Sequence, residues 1–392
     1  MKSFQVVVIG GGTGGLFTSS RLNRIFKSVA IIEPSDTHCY QPLWTLVGAG
    51  IVKKEDTARP MGSVIPSGVT WLKNKVMEFF PTQNKIVLDS GEEVSYEFLV
   101  VSPGIQINWN KIEGLKGYMG KEGICSNYEF NTVDSTWRSL QEFKGGIAVF
   151  TMPPTPFKCP GAAQKIMWLA EEYFRTKGIR NKTKVYFISS AKAIFGIPKY
   201  KAALEVLVKK RGIETIFNTN LTGIDPLNKN LTGTNLVTGE KMQMNYDMIH
   251  ITPPQGPLDF VKNSPLSNQD GWVDVDQYTL QHKKFPNIFS CGDSSSLPIA
   301  KTGAAIRKQA PILVHNLHSL SKGEDIKKNY SGYTSCPLVT EKGKCIMAEF
   351  GYEDKVMESF PFDQAKERLS MYILKKDILP LLYWNLMIKG YM

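Results

Sequence analysis

The chain has 392 residues, 42% of them hydrophobic, and 33 glycines, which fits two or three globular domains and excludes a disordered chain. Its net charge of +11 suits an anionic membrane surface better than nucleic acid, because no run of five Lys or Arg residues and no helix-turn-helix or zinc-finger spacing occurs. Six scattered cysteines, none in a Cys-x-x-Cys pair, exclude a disulfide scaffold and argue against a bound metal.

The chain begins with the pattern of a dinucleotide-binding βαβ unit. A strand over Phe4–Ile9 runs into a glycine motif, which is followed by a helix over Leu16–Phe26 and a second strand over Val29–Glu33. The motif G-x-G-x-x-G is satisfied by Gly10, Gly12 and Gly15, with Gly11 at its first variable position. Its glycines permit a tight turn, close approach of a pyrophosphate and close packing of helix on strand, and Glu33 would accept from ribose hydroxyls. The pattern predicts a bound dinucleotide.

Two later strands identify which dinucleotide is expected. One covers 96–101 and ends in the turn Ser102-Pro103-Gly104, and the other covers 285–291 and ends in Gly292-Asp293. A chain that returns to its first nucleotide unit near residue 290 resembles the glutathione-reductase-like flavoproteins, in which the Gly-Asp acid contacts the ribityl chain of FAD. The resemblance implies FAD as the cofactor. The predicted FAD-binding residues are Gly10, Gly11, Gly12, Gly15, Glu33, Gln41, Val76, Ser102, Gly104 and Asp293.

A second βαβ unit lies between these segments, but its nucleotide motif is missing. Strands are predicted at 146–150, 184–189 and 248–254, and helices follow the first two. The first strand leads into Met152–Pro160, which holds four prolines and Cys159 where a glycine fingerprint for NAD(P)H would stand. Proline removes the amide donors that would hold a pyrophosphate. The nicotinamide site is therefore predicted to be lost. His250 is interpreted as a core histidine, with a catalytic base as the alternative.

Long motifs carry the family resemblance. They are Tyr40–Gly50, Phe157–Met167, Gly332–Thr340 and Phe360–Tyr372. Over essentially its whole length the chain resembles the sulfide:quinone oxidoreductases, and among them the mitochondrial type. The resemblance implies that Cys159 and Cys336 are the redox cysteines. It also implies that two electrons pass from sulfide through FAD to a quinone, and that the sulfur passes to an acceptor such as glutathione or sulfite.

Physical chemistry indicates the same pair of cysteines. Oxidation of sulfide needs an electrophilic sulfur, which a disulfide supplies, and a thiolate leaving group close to an electron acceptor. Cys159 lies at the head of a helix, where the dipole favours a thiolate. Cys336 is expected in a turn with little secondary structure to bury it. A catalytic role for Cys125 stays open. The remaining cysteines are taken as structural, namely Cys39, Cys291 and Cys345.

The predicted fold class is α/β, with two Rossmann-like dinucleotide-binding domains and a C-terminal membrane-associating segment. An FAD-binding domain over 1–119 and 286–330 encloses the second Rossmann-like domain over 120–285, and 331–392 forms the segment with the second redox cysteine. The apolar tail, 363–392, carries several lysines and Pro380 and is too short and too charged to cross a bilayer. It suits an interfacial helix pair at a membrane surface, with burial in the protein core as the alternative.

The predicted location is the mitochondrial inner membrane, peripheral or monotopic, or the cytoplasmic membrane if the source is bacterial. The first strand begins so close to Met1 that no presequence is expected, and the chain stops at Met392, short of the final basic-hydrophobic segment of the mitochondrial type.

Two other classes of function are weighed. A type-II NADH:quinone oxidoreductase would share the fold, FAD and tail but should keep the second glycine motif. A flavin-bearing interaction protein, similar to the apoptosis-inducing flavoproteins, would explain the basic charge but not two cysteines in matching motifs.

Overall fold

The computed structural model describes the complete chain, residues 1–392. It contains 21 strands and ten α-helices. The strands are β1 Lys2–Ile9, β2 Val29–Ile32, β3 Thr37–Cys39, β4 Ala58–Pro60, β5 Val69–Leu72, β6 Val76–Phe80, β7 Lys85–Leu88, β8 Glu93–Val101, β9 Gln106–Ile107, β10 Ile124–Cys125, β11 Gly146–Met152, β12 Thr183–Ser189, β13 Ile213–Ile216, β14 Thr219–Asp225, β15 Asn230–Asn235, β16 Lys241–Asn245, β17 Met248–His250, β18 Gln255–Gly256, β19 Ile288–Ser290, β20 Thr334–Glu341 and β21 Lys344–Phe350. The helices are α1 Thr13–Leu22, α2 Trp44–Gly48, α3 Met61–Val64, α4 Val133–Glu142, α5 Gly161–Thr176, α6 Pro198–Arg211, α7 Asp259–Lys262, α8 Gly303–Ser321, α9 Leu369–Ile373 and α10 Leu379–Leu382.

The first large sheet is built around β1. Its order is β5-β2-β1-β8-β7-β6, and β19 pairs with β8. β1 pairs in parallel with both β2 and β8, and its residues Val6–Ile9 are buried because helices α1 and α8 cover the sheet. β19 joins β8 in parallel at Leu99–Val101, so a segment from late in the chain completes this sheet. The carboxyl ends of β1, β8 and β19 therefore meet at one edge, and the predicted α/β class is confirmed.

The second large sheet is fully parallel. Its order is β10-β17-β11-β12-β13, with α5 leading from the end of β11 to β12. The buried residues of the interior strands β11 and β12 are mostly apolar, as expected for strands covered on both faces. A smaller antiparallel sheet of β14, β15 and β16 follows β13.

The C-terminal hairpin corrects the prediction for Cys336. The residue lies within β20, opposite Ala348 of β21, and is completely buried, so the expected turn is wrong. Pro337 does not interrupt the strand, because it stands opposite Met347, whose N–H donates to the carbonyl of Gln364 instead. Helix α5 packs on β20 and α9 packs on both hairpin strands, which buries the hairpin.

The tail forms a continuous run of α- and π-helical turns over residues 369–387. One side is buried in the core of the first sheet, through Met371, Tyr372, Tyr383, Met387 and Ile388. The other side exposes large apolar side chains, namely Leu369, Ile373, Ile378, Leu381 and Leu386. None of the helices combines the length and the apolar character needed to cross a membrane. Core packing thus accounts for one side of the tail only.

Candidate active site

The glycine motif forms an edge that fits a dinucleotide. A Cβ at Gly10 would lie 2.4 Å from the carbonyl oxygen of Ser102, and one at Gly15 would lie 1.7 Å from that of Gly10. A Cβ at Gly12 would meet nothing within 4 Å. Gly10 and Gly15 are therefore fixed by close packing within the protein, whereas Gly12 faces open space that a cofactor can approach. These are the separate requirements of a pyrophosphate-binding turn.

The other predicted cofactor residues gather at the same edge, with one exception. The Glu33 carboxylate accepts from the N–H of Gly11 at 2.6 Å, and the Ser102 hydroxyl donates to the carbonyl of Cys291 at 3.0 Å. A Cβ at Gly104, which has φ of +85°, would also meet only open space. Val76 is set apart, since it begins β6, which β7 and β8 separate from β1. Gln41 begins a 3₁₀ turn, Gln41–Leu43, in which the carbonyl of Pro42 accepts from Lys375 of the tail.

The two predicted redox cysteines lie together. Their Sγ atoms are 3.8 Å apart, although the residues are 177 positions apart in the chain. Cys159 sits in the loop 153–160, here called the cysteine loop, and has φ of +49° just before α5 begins at Gly161. A Cβ at Gly161 would lie 2.4 Å from Leu338 Cδ2 and 3.7 Å from the sulfur of Cys336. Glycine at this position therefore lets the cysteine-bearing strand approach the head of the helix.

A buried ammonium group makes the two thiols unequal. Lys165 Nζ donates to Cys159 Sγ at 3.3 Å from the second turn of α5. A hydrogen bond from Cys336 and then the charge of Lys165 outweigh burial and hold the pKa of Cys159 well below its ordinary value. The hydrogen bond to Cys159, burial and the charge of Cys159 raise the pKa of Cys336 well above its ordinary value. In the reduced pair, Cys159 is the thiolate and Cys336 the thiol that donates to it.

Two further lysines, the buried Lys375 and the half-buried Lys301, lie around the pair. Lys375 of the tail donates to the carbonyl of Pro42 at 2.7 Å, and burial together with repulsion from Lys165 lowers its pKa to about 7. Lys301 donates to the carbonyl of Asp293 at 2.6 Å, while its own carbonyl accepts from the N–H of Cys159 at 2.9 Å. The cysteine loop therefore lies directly beside the predicted FAD residue Asp293.

The other cysteines lack such an environment. Burial raises the pKa of Cys125 to about 12, and its thiol donates to the carbonyl of Ile249. Burial likewise raises the pKa of Cys39 to about 11 and of Cys345 to about 12, and that of Cys291 above its ordinary value. These thiols stay protonated at neutral pH, which suits packing rather than nucleophilic chemistry.

His250 is a buried neutral residue. Burial lowers its pKa to about 3, and its Nε2 lies 2.8 Å from Asn127 Oδ1. Its ring stacks on that of Phe150 with centroids 6.1 Å apart. These contacts fit the interpretation as a core histidine better than that as a base.

Sequence reasoning missed three residues of this site. Lys165 could have been noticed as a charge inside an otherwise apolar helix face, six residues after the cysteine. Gly161 lies within the motif Phe157–Met167, but nothing in the sequence indicates that a strand approaches it closely. Lys375 gave no local signal, because only tertiary packing brings the tail to Pro42.

Known proteins are similar to this chain over nearly its whole length. A family model described as pyridine nucleotide-disulphide oxidoreductase matches residues 4–142. The mitochondrial sulfide:quinone oxidoreductase of Mus musculus is 46% identical over 391 residues, covering 99% of this chain and 87% of that protein. That of Dictyostelium discoideum is 44% identical, covering 98% and 86%. The solved sulfide:quinone oxidoreductase of Aquifex aeolicus has the same fold, with a TM-score of 0.85 at 21% identity over 100% of this chain and 92% of that one.

Proposed function

The chain belongs to the sulfide:quinone oxidoreductases, which are FAD-dependent oxidoreductases, and we propose that it oxidises hydrogen sulfide through the pair Cys159 and Cys336. The observation that carries the proposal is the 3.8 Å separation of the two sulfurs beside the buried Lys165. The cysteine loop is also hydrogen-bonded to Lys301, which itself donates to the carbonyl of Asp293. An inert pair of packed thiols would need neither the lysine nor the glycine that lets the strand approach.

The reaction begins from the oxidised pair. A disulfide needs its two sulfurs about 2 Å apart, so a small movement closes the present separation. Hydrosulfide attacks one sulfur, forms a persulfide there and releases the other as a thiolate. The residues of the glycine motif together with Glu33, Ser102 and Asp293 would hold FAD, which would supply a two-electron acceptor between the cysteine pair and the quinone.

The inequality of the thiols sets the direction of attack. A thiol of low pKa leaves faster in thiol–disulfide exchange. Cys159 has the lowered pKa and Lys165 neutralises the charge that it gains, so attack at Cys336 with Cys159 as the leaving group is the favoured direction. Cys336 is completely buried, which admits hydrosulfide more easily than a larger thiol. The persulfide therefore forms at Cys336, and the acceptor, such as glutathione or sulfite, must remove its outer sulfur.

The tail supplies the proposed contact with the membrane that holds the quinone. Its exposed apolar side chains lie next to Lys376 and Lys389, the combination expected of a peripheral or monotopic surface. Because its relatives are mitochondrial enzymes, we assign the protein to the mitochondrion, at the inner membrane.

An anaerobic titration tests this function against the NADH:quinone alternative. NADH is added to the oxidised flavoprotein first and sulfide second, and the flavin absorbance is followed. We expect sulfide to bleach the flavin and NADH to leave it oxidised, because prolines stand where a second pyrophosphate turn would be needed. Bleaching by NADH alone would reject the proposal.

A further inference from the structure

Several buried polar atoms without a partner lie in one region of the fold. Eight buried side-chain nitrogen or oxygen atoms have no hydrogen-bond partner within the protein, and four of them belong to Tyr128, His250, Thr252 and Gln255. Each of these residues is at most 5% exposed. A buried donor without a partner costs free energy, so such groups in a native protein usually bind something. Half of the unpartnered atoms therefore point to a ligand that the protein itself does not supply.

Contacts place this group against the cysteine loop. The ring of Tyr128 lies 6.4 Å from that of Phe157, within the loop, and 6.4 Å from that of His250. Gln255 Oε1 accepts from the N–H of Lys158 at 3.2 Å, and the N–H of Gln255 donates to a threonine hydroxyl of the same loop. The first of these bonds fixes the orientation of the amide, so that Nε2 presents two N–H groups without partners.

The charges around the group favour an anion. Burial, then the charge of Cys159 and finally that of Cys336, raise the pKa of Tyr128 far above its ordinary range, so the phenol stays protonated and can donate. The hydroxyl of Thr252 lies within hydrogen-bonding range of the phenol and lowers the same pKa. Lys165 supplies a positive charge beside the same sulfurs. Donors together with an ammonium group match a small anion rather than a cation.

We propose that Tyr128, Thr252 and Gln255 form a donor site for hydrosulfide, in which the Tyr128 hydroxyl binds the anion before it attacks the disulfide. The site rests on the proposed function, since it serves the same cysteine pair. Hydrosulfide forms a bond to the sulfur of Cys336, the bond between the two cysteines breaks, and the negative charge ends on Cys159. The phenol keeps its proton throughout, and no outside oxidant or reductant enters this step.

The test compares two buried tyrosines that both lack a partner for their hydroxyl. Tyr246 is the matched control, because it lies in a separate cluster of the second sheet. Oxidised parent, Tyr128→Phe and Tyr246→Phe proteins are incubated anaerobically with increasing sulfide, and the sulfane sulfur bound to the protein is measured by cyanolysis. We expect Tyr128→Phe to need about tenfold more sulfide for half-maximal loading, the effect of one lost hydrogen bond to an anion, with the maximum unchanged. Tyr246→Phe should load like the parent.

The outcomes separate this site from the function it serves. If the parent gains no sulfane sulfur, the proposed function itself fails. If the parent loads and Tyr128→Phe loads equally well, the donor site is rejected and the hydroxyl binds water only. A thermal midpoint of Tyr128→Phe well below that of Tyr246→Phe also rejects it, because the hydroxyl would then pair within the folded protein. Thr252→Val, compared with Thr136→Val, repeats the measurement at a second donor of the site.

Discussion

The reactive pair consists of two cysteines that the fold makes chemically different. Cys159 is held at positive φ at the head of a helix and touches Lys165, whereas Cys336 is enclosed in a strand. A single lysine thereby selects which sulfur carries the charge. This inequality matters more for the reaction than the presence of two thiols, because exchange through a disulfide depends on the leaving sulfur.

Replacing Lys165 should weaken the thiolate. In Lys165→Met the ammonium is lost, so the pKa of Cys159 rises, and at neutral pH a smaller fraction of this sulfur is ionised. The rate of alkylation of the reduced protein, measured against pH, should therefore reach its half-maximum at a higher pH than in the parent. Lys177→Met, at the exposed end of the same helix, is the control. An unchanged profile in Lys165→Met would show that the lysine does not set this pKa.

Hydrogen bonds of Tyr383 and His38 join the tail to the glycine motif. The Tyr383 hydroxyl bonds to His38 Nε2 at 2.5 Å and to Thr13 Oγ1 at 2.9 Å, and His38 Nδ1 bonds to the carbonyl of Gly11 at 2.9 Å. Burial lowers the pKa of His38 to about 4, so the imidazole is neutral and donates to Gly11 while accepting from Tyr383.

Tyr383→Phe should destabilise the protein by about 1–3 kcal/mol, because it leaves the buried imidazole of His38 and the half-buried hydroxyl of Thr13 without this partner. Tyr372→Phe is the control on the same tail, since its buried hydroxyl has no partner to lose. Urea denaturation of both variants measures the difference. Equal free energies of unfolding would mean that the hydrogen bonds of Tyr383 contribute nothing.

Helix α5 and strand β20 form the element pair on which the site depends. Arg211, mostly buried, donates to the carbonyl of Thr340 and pairs with Glu341 of the hairpin and with Glu171 of the helix. This network holds β20 against α5 at Thr340 and Glu341. Gly161, the first residue of the helix, allows the close approach of the same strand beside Cys336.

Gly161→Ala should push the strand away from the helix. The new methyl group would overlap Leu338, and overpacking of this kind costs about 1–3 kcal/mol. Gly303→Ala is the matched control, because Gly303 is also the first residue of its helix and a Cβ there meets nothing within 4 Å. Thermal unfolding and the rate at which an oxidant re-forms the disulfide should both be impaired in Gly161→Ala alone. Wild-type rates in that variant would contradict the packing argument.

The sequence predicts the local elements of this site well and its long-range contacts poorly. The apolar run before Cys159 and the helix after it follow from periodicity, and they occur at 146–152 and 161–176. At Cys336 the sequence predicts a turn instead of the observed strand, because Ser335 and Pro337 are turn formers and the packing that overrides them comes from distant elements. For Lys375 the sequence predicts only a place in a basic tail, since nothing nearby in the chain indicates that it is buried.

Across the whole molecule, the tail connects the site with the surface. Lys375 reaches the carbonyl of Pro42 on one side of the tail, and Leu369 and Leu381 are 61% and 62% exposed on the other. The same short segment therefore contributes to the buried site and to the apolar surface that we propose as the membrane contact. Deletion of the tail would disturb both, so substitutions on its exposed side separate the two roles.

Leu369→Ser combined with Leu381→Ser should lower binding to liposomes that contain anionic lipid, while the thermal midpoint stays close to that of the parent. The control carries Leu227→Ser and Val237→Ser, which are 75% and 76% exposed in the two turns that connect β14, β15 and β16. Co-sedimentation with the liposomes measures the binding. If both double variants sediment like the parent, the tail is not the membrane contact.

Sulfide-driven reduction of the flavin in the two cysteine variants tests the central claim most directly. Cys159→Ser and Cys336→Ser are purified with their flavin, mixed anaerobically with sulfide, and followed by flavin absorbance in a stopped-flow instrument. A serine oxygen can neither form the disulfide nor carry the persulfide, so both variants should keep FAD and the fold but lose rapid bleaching. Bleaching of Cys159→Ser at the parent rate would contradict the account, because electrons would then reach the flavin without this cysteine.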